Sequence, residues 1–305
     1  MSKHLHRPQT VSEDHIAAIM ALADRASIAD DVAPFSEATT LGLQRLPRGG
    51  DDLRLIVVGE GGIKGAAVLA ADGSAEIAVD PDARRQGLGG ALVDAVLADR
   101  DDAQLWAHGD LPPAQALAGS RGLSVTRNLW RMQRPVDAEP AIVDPTVPDG
   151  FAARSFVPGR DEQAWLDLNA TAFVHHPEQG RMTMEDLRDR MDQPWFDPAG
   201  LLLIEDTTVT PHRLVASHWT KIAEPESGEG EVYVVAVDPA YQGRGLGRTV
   251  TALGLAHLAA RGVETIDLYV EGDNAAAVAT YTRLGFERAS VDVMYSRAVH
   301  PMLTP

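Results

Sequence analysis

The sequence predicts an α/β protein made of two tandem domains, each a mixed sheet flanked by helices. Three observations predict it. The first is a strand, a glycine-rich loop and a helix that occur twice, as "VAVDPAYQGRGLGRT" from Val235 to Thr249 and as "IAVDPDARRQGLGGA" from Ile77 to Ala91. The second is the spacing. Val79-Asp80-Pro81 and Gly87-Leu88-Gly89 recur as Val237-Asp238-Pro239 and Gly245-Leu246-Gly247 at an offset of 158. Downstream, Trp106 and Gly122-Leu123 recur as Tyr269 and Gly285-Phe286 at an offset of 163. A period of this size marks a duplicated domain and not a solenoid. The third is "RPVDAEPAIVDPTVPDGF" from Arg134 to Phe151, in which Pro135, Pro140, Pro145 and Pro148 interrupt any helix and disfavour a central strand. It predicts a linker at 138–152 between domains at 1–137 and 153–305.

The elements follow in order. "EDHIAAIMALADRA" (Glu13 to Ala26) has helical apolar spacing. "LRLIVVGE", a Gly-Gly turn and "GGIKGAAVLA" read as a hairpin, and "AEIAVDP" as the strand before the first glycine loop. A helix is predicted over about Gly87 to Asp99, then a strand in "AQLWAHG". In the second half "DEQAWLDLNATAF" and "TMEDLRDRM" read as helices, and "GLLLIED", "RLVASHWTKI" and "GEVYVVAVDP" as strands. A helix follows from about Gly245 to Arg261, then a strand in "ETIDLYVEG", a helix in "NAAAVATYTRLG" and a last strand in "ASVDVMYSR". Each half thus has antiparallel hairpins before the loop and a βαβ unit around it.

Composition narrows the function. Hydrophobic residues at 45% and charged residues at 23% describe an ordinary globular chain long enough for two cores. A net charge of −17 argues against nucleic acid as a partner, because a phosphate backbone needs a basic surface. No cysteine is present, which removes disulfides, thiolate ligands and a cysteine nucleophile. The N-terminus has no apolar signal region and no run approaches about 18 apolar residues, so a membrane partner is not expected and a cytoplasmic location is.

The glycine loop reads either as an anion site or as a glycine-rich strand-to-helix turn with no ligand. It lacks the Lys and the spacing of a P-loop, and Arg248 stands where a dinucleotide fingerprint needs its third glycine. What remains is a set of backbone N–H groups at the positive end of a helix, which suits a pyrophosphate. Glu231 lies on the strand before the loop; simple alternation puts it on one face with Tyr233 and Val235. A carboxylate there can act as a general base. Adjacent His175 and His176 lack the spacing of a helical metal pair, so no metal is expected. His218-Trp219 reads as packing or as a cleft wall.

The string Gln242-Gly243-Arg244-Gly245-Leu246-Gly247 after a Val-Asp-Pro strand end, its echo Arg84-Arg85-Gln86-Gly87-Leu88-Gly89, and "VEGDNAAAVATYTRLGF" resemble the two signatures of the GNAT superfamily of N-acetyltransferases. The resemblance implies two GNAT domains and acetyl-CoA as co-substrate. Pantetheine would lie between two splayed parallel strands, with a β-bulge freeing an N–H for the thioester carbonyl. It implies cofactor contacts at Val235, Ala236, Val237, Gln242, Gly243, Arg244, Gly245, Leu246, Gly247 and Arg248, and at Asn274, Ala275, Ala276, Ala277, Val278 and Ala279. In the first half the matching contacts are Ile77, Ala78, Val79, Arg85, Gln86, Gly87, Leu88, Gly89 and Gly90. It assigns Glu231 as base and Tyr281 as proton donor to the leaving thiolate. At matching offsets the first half has Gly73, Leu111 and Ala118 for Glu231, Asn274 and Tyr281, which predicts a CoA-binding domain without catalysis.

The tandem layout, with "AFVHHPEQGRMT" and "PWFDPAGLLL", further resembles the mycothiol synthase family of actinobacteria. That resemblance implies acetyl transfer to the cysteinyl amine of a pseudo-disaccharide, 1D-myo-inositol 2-(L-cysteinylamino)-2-deoxy-α-D-glucopyranoside. It implies substrate contacts at Glu37, Glu178, Lys221, Glu231 and Tyr269. An aminoglycoside or a protein N-terminus as the amine, and a non-catalytic CoA sensor, are the alternatives. A monomer is expected, since the duplicated domain supplies its own partner surface.

Overall fold

The computed structural model describes residues 5–50, 53–143, 145–174 and 177–297. The chain forms two compact units, one of residues 1–130, 271–273 and 290–305, the other of residues 131–270 and 274–289.

The first unit contains β1 (Leu5–His6), α1 (Glu13–Asp30), α2 (Glu37–Arg45), β2 (Leu53–Val58), β3 (Gly65–Ala70), β4 (Ser74–Val79), α3 (Leu88–Asp99), β5 (Gln104–Ala107), α4 (Pro112–Gly119) and the first residues of β6 (Leu123–Pro135). Ser12 caps α1, its hydroxyl accepting from the His15 amide, and the helix buries Ile16, Ile19, Leu22 and Ala26 at three- and four-residue steps. β2, β3 and β4 form antiparallel ladders, as the Gly-Gly turn predicts. β4 and β5 are parallel, paired at Ser74 with Gln104 and Ala75 with Leu105, and the ladder ends there. One face of this sheet packs on α3 through Ile56, Ala67, Leu92 and Val96; the other packs on α1 and α2 through Ile19, Leu43, Val57 and Val68.

The second unit contains the end of β6, then β7 (Phe151–Ser155), α5 (Glu162–Ala172), α6 (Pro177–Gly180), α7 (Met184–Met191), β8 (Leu201–Asp206), β9 (Arg213–Lys221), β10 (Glu229–Val237), α8 (Leu246–Ala260), β11 (Thr265–Glu271), α9 (Ala275–Arg283) and the start of β12 (Glu287–Arg297). Its strand order is β6-β11-β10-β9-β8-β7. β10 and β11 are parallel and their ladder stops at Val232 with Leu268. Residues 290–297 of β12 belong to the first unit, where Val293 to Tyr295 pair antiparallel with β5.

A bulge in β10 corrects the alternation expected for Glu231, Tyr233 and Val235. Val232 faces Thr220 and Val234 faces Trp219, so Tyr233 is an extra residue. Tyr233 and Val234 therefore pack with Trp165 and Trp219 beside α5 and α7, whereas Val235 and Val237 pack with Leu246 and Val250 of α8. Glu231 pairs with Lys221, two residues from Trp219, and so shares the α5–α7 face with Tyr233 but not with Val235.

The proline-rich segment is anchored by Arg134, which is 1% exposed. Its Nη2 donates to the carbonyls of Ala138 (2.7 Å) and Pro140 (3.2 Å), and its Nη1 to that of Leu284. These acceptors compensate a charge that would otherwise be costly to bury.

Candidate functional site

Four charged residues of the second unit form a row on the α5–α7 face of the sheet. In register, Lys221 of β9 lies opposite Glu231 of β10, and Glu231 lies beside Asp267 of β11. Cross-strand neighbours stand about 5 Å apart. Arg131 of β6 closes the row, its Nη2 donating to Asp267 Oδ2 at 2.8 Å and lying 3.8 Å from Glu229 Oε2. The order across four strands is cation, carboxylate, carboxylate, cation. A cavity of about 350 Å³ opens on this row, lined by Arg131, Lys221, Glu224, Glu229, Glu231, Asp267 and Tyr269 among others.

Lys221 is held from two sides. Its Nζ lies 3.9 Å from Glu231 Oε2 and about 5 Å from the ring centroids of Trp195 and Tyr233, at 4.9 and 5.0 Å. Tyr233 is fixed in turn, its hydroxyl accepting from Arg190 Nε at 2.8 Å. Behind it Trp219 meets Trp165 edge-on at 5.2 Å. The His218-Trp219 pair is packing. His218 is fully buried, its Nδ1 donating to the Val250 carbonyl at 3.0 Å, and burial pushes it down to about 4. The ring lies against Gly254, where any Cβ would come within 2.1 Å of it.

On the opposite face the glycine loop leads into α8. Gly245 is the N-cap at φ +82°, Gly243 has φ +77°, and no side chain caps the first turn. The N–H groups of the first turn therefore have no side-chain acceptor. Arg244 lies over the Tyr241 ring at 4.7 Å and Arg248 follows in the first turn. Gln242 ends the short turn after Asp238-Pro239, a turn capped by Asp238, which accepts from the Ala240 amide at 2.8 Å. Asn274 caps α9, accepting from the Ala277 amide at 3.1 Å, and Ala275, Ala276, Ala277, Val278 and Ala279 form the first turns of that helix. These donors and the end of the β10–β11 ladder fit an anion joined to an extended arm, the chemistry of CoA. Tyr281 of α9 meets Phe286 edge-on at 5.8 Å, and desolvation pushes its phenol up to about 12.

The first unit repeats the loop and not the row. Gly87 caps α3 at φ +78°, and Arg85 takes φ +63° where the second loop has Gly243. A cavity of about 400 Å³ is lined by Ile77, Ala78, Val79, Arg85, Gly87, Leu88, Gly89 and Gly90, together with Trp106, His108 and Tyr295. Gln86 is exposed in the loop. Sequence reasoning missed the ionised cluster here. His108 is bonded through Nδ1 to Asp292 (3.0 Å) and through Nε2 to Glu76 (3.2 Å). Burial pulls the imidazole pKa down, but the hydrogen bonds and charges of Asp292 and Glu76 win and hold it at about 10.

Of the substrate contacts that the resemblance implies, Lys221, Glu231 and Tyr269 line one cavity. Glu37 opens α2 in the first unit, next to its N-cap Ser36. Glu178 lies in α6, but its side chain, like His175 and His176, falls outside the described residues. Arg131, Asp267 and Glu229 were not anticipated; the available signal was an aspartate inside the apolar run "ETIDLYV". Among the described residues no three His, Asp or Glu side chains converge as a metal site, and no helix is long and apolar enough to cross a membrane.

Comparison with known proteins shows the family. The profile of the acetyltransferase (GNAT) family matches residues 163–286. A mycothiol acetyltransferase of Kytococcus sedentarius is 49% identical, over 96% of this chain and 98% of its own. One from Catenulispora acidiphila is 48% identical over 93% and 96%. Among solved structures, a tandem GNAT protein from the clavulanic acid biosynthesis pathway superposes with a TM-score of 0.67 at 19% identity, covering 96% of this chain and 98% of the other. A GCN5-related N-acetyltransferase from Sphaerobacter thermophilus gives 0.64 at 24% identity, over 96% and 94%.

Proposed function

The chain belongs to the mycothiol acetyltransferases, a family of GNAT enzymes, and on that premise we propose how its residues divide the work. The second unit transfers acetyl from acetyl-CoA to the cysteinyl amine of 1D-myo-inositol 2-(L-cysteinylamino)-2-deoxy-α-D-glucopyranoside. The products are the N-acetyl amide, mycothiol, and free CoA. The observation that carries this reading is the charged row of Lys221, Glu231, Asp267 and Arg131, on the sheet face opposite the glycine loop.

An α-amino group has a pKa of about 8 and needs to lose one proton before attack. Glu231, one quarter exposed and beside the cavity, takes that proton through water. The neutral amine adds to the thioester carbonyl carbon, and the C–S bond breaks as the amide forms. A backbone N–H of the bulged segment of β10 around Tyr233 stabilises the oxyanion. Tyr281, protonated at neutral pH as any phenol is, gives its proton to the departing thiolate, and the second proton of the amine nitrogen, released as the amide forms, passes through water to restore the phenol. Lys221, Tyr269, Glu178 and Glu37 are the proposed contacts to the pseudo-disaccharide. Gln242 to Arg248 and Asn274 to Ala279 hold the CoA.

The first unit binds CoA through its own loop without turning it over. The chain acts as a cytoplasmic monomer of 32.7 kDa. The test is CoA release with the cysteinyl pseudo-disaccharide against aminoglycoside and peptide amines. Turnover of the first at least ~100-fold better in kcat/KM is expected. Equal turnover of the three amines overturns the substrate assignment, and CoA binding with no turnover overturns the enzyme.

A further inference from the structure

We infer that Asp267 and Arg131 form a positioning pair that fixes the charge beside Glu231, and so sets the pH range over which Glu231 accepts a proton. This rests on the reading of Glu231 as the base.

The geometry points to it from three sides. Asp267 is the register partner of Glu231 across the parallel ladder, so the two carboxylates are nearest cross-strand neighbours. Asp267 is only 7% exposed, and its Oδ1 has no hydrogen-bond partner among the described residues. Its charge therefore has one local counterweight, the Arg131 guanidinium on Oδ2 at 2.8 Å. The other charged or titratable groups facing Glu231 are Lys221 on β9, Tyr269 on β11, and Glu229 and Tyr233 on its own strand, with Glu224 at the cavity edge and Arg190 behind Tyr233. Of these, Lys221 is already committed to Glu231 and to two rings. Arg131 is thus the cation that decides how much of the Asp267 charge reaches Glu231. The pair acts through Glu231 and touches no reacting atom.

The two members have opposite effects on a neighbouring carboxylate. Removing Arg131 leaves the Asp267 charge uncompensated beside Glu231 and moves the Glu231 step up. Removing the Asp267 charge while Arg131 stays moves the Glu231 step down. Asp267 stands one strand from Glu231 and Arg131 two, so loss of the Asp267 charge gives the larger shift, about one pH unit in a half-open site, and loss of Arg131 the smaller.

The experiment is the pH profile of kcat/KM for the cysteinyl pseudo-disaccharide, read by CoA release, for the wild-type protein, E231Q, R131Q, R131K, D267N and R131Q/D267N. The limb lost in E231Q belongs to Glu231, since ionisation of the substrate amine is common to all six. R131Q is expected to move that limb up by about half a pH unit, D267N to move it down by about one, and the double variant to leave it between the wild-type and D267N positions. R131K, which keeps the charge, is expected to restore it. Limbs that do not move, or that move the same way in both single variants, overturn the inference, because loss of structure has no reason to act with opposite signs. A limb in R131K that stays where R131Q puts it also overturns it. If E231Q keeps the wild-type limb, the base assignment fails, and that outcome is distinct from the other two. Thermal melts identify a variant that does not fold; Arg131 is one-third exposed, so R131Q and R131K carry the test if D267N is lost.

Discussion

The two units share a backbone device and differ in side-chain chemistry. Both have a glycine N-cap at positive φ, Gly87 in one and Gly245 in the other, and both have an aspartate capping the turn before the loop, Asp80 and Asp238. Even the outer partner of that aspartate is matched, with Arg25 on Asp80 and Arg213 on Asp238. Beyond the loop they part. The second unit presents Lys221, Glu231, Asp267 and Arg131 to an open cavity. The first ties Glu76, next to its β4–β5 ladder, through His108 to Asp292. An anion grip made of backbone N–H groups tolerates almost any side chain, so it persists through divergence. Proton transfer depends on particular side chains, and one substitution removes it.

The sharpest way to break this comparison is at Glu231. E231Q is expected to lower kcat about 10²- to 10⁴-fold, the range for a lost general base, with acetyl-CoA binding retained. The first unit has Gly73 at the matching position and is expected to give no compensating activity. A loss under tenfold means that Glu231 is a contact and not the base. Residual turnover abolished only by changes in the first unit would mean that both units catalyse.

Two histidines, His108 half-buried and His218 fully buried, sharpen it next, because they respond to pH in opposite directions. His108 has a folded pKa of about 10, above its ordinary value near 6.5. Its contribution is therefore full below about pH 6.5 and is lost as pH rises toward 10. His218 has a folded pKa of about 4, so the unfolded chain binds the extra proton and stability falls as pH drops from about 6.5 toward 4. Breaking a buried charge cluster by removing one member costs about 3 to 5 kcal/mol, and H108Q is expected in the lower part of that range. Melting temperatures across pH 4 to 10 check both signs. H108Q should flatten the alkaline side alone and H218Q the acid side alone; an alkaline slope unchanged in H108Q contradicts the ion cluster.

These contrasts were unevenly legible in the sequence. The hairpins, the two βαβ units and both loops follow from alternation, glycine position and the repeat, all of them local signals. α4 was not read because Pro112 and Pro113 look like breakers, although proline is well suited to a first helical turn. α2 hid for a related reason: nine residues with a short apolar face carry little periodic signal. The strand facing of Val235 was misread because the bulge at Tyr233 adds one residue, and alternation cannot register an insertion that leaves no compositional trace. Arg131 and Asp267 lie 136 residues apart and meet only through strand order, which no single segment encodes. The Glu76–His108–Asp292 cluster spans 184 residues from His108 to Asp292 and escaped for the same reason.

The smallest expected effect concerns the one place where the loops differ in backbone cost. Arg85 adopts φ +63° where its counterpart is Gly243 at φ +77°. A left-handed conformation costs a non-glycine residue about 1 to 2 kcal/mol. Exchange for glycine removes that strain but adds freedom to the unfolded chain worth about 0.4 to 1 kcal/mol. R85G should therefore be more stable than wild type by about 0.5 kcal/mol, a shift of one to two degrees or so in Tm for a chain of this size. A strained arginine is kept where its side chain works, and here it lines the first unit's cavity with exposed donors. If those donors hold a CoA phosphate, R85G trades a small gain in stability for a loss of about five- to tenfold in CoA affinity at the first unit, the size of one charge-assisted hydrogen bond near the surface. Calorimetric titration of wild type and R85G with CoA reads both affinities together. A weaker first site with the second site unchanged makes Arg85 part of the grip. Equal affinities with higher stability make it a tolerated turn residue, and the comparison of the two loops then reduces to their shared backbone.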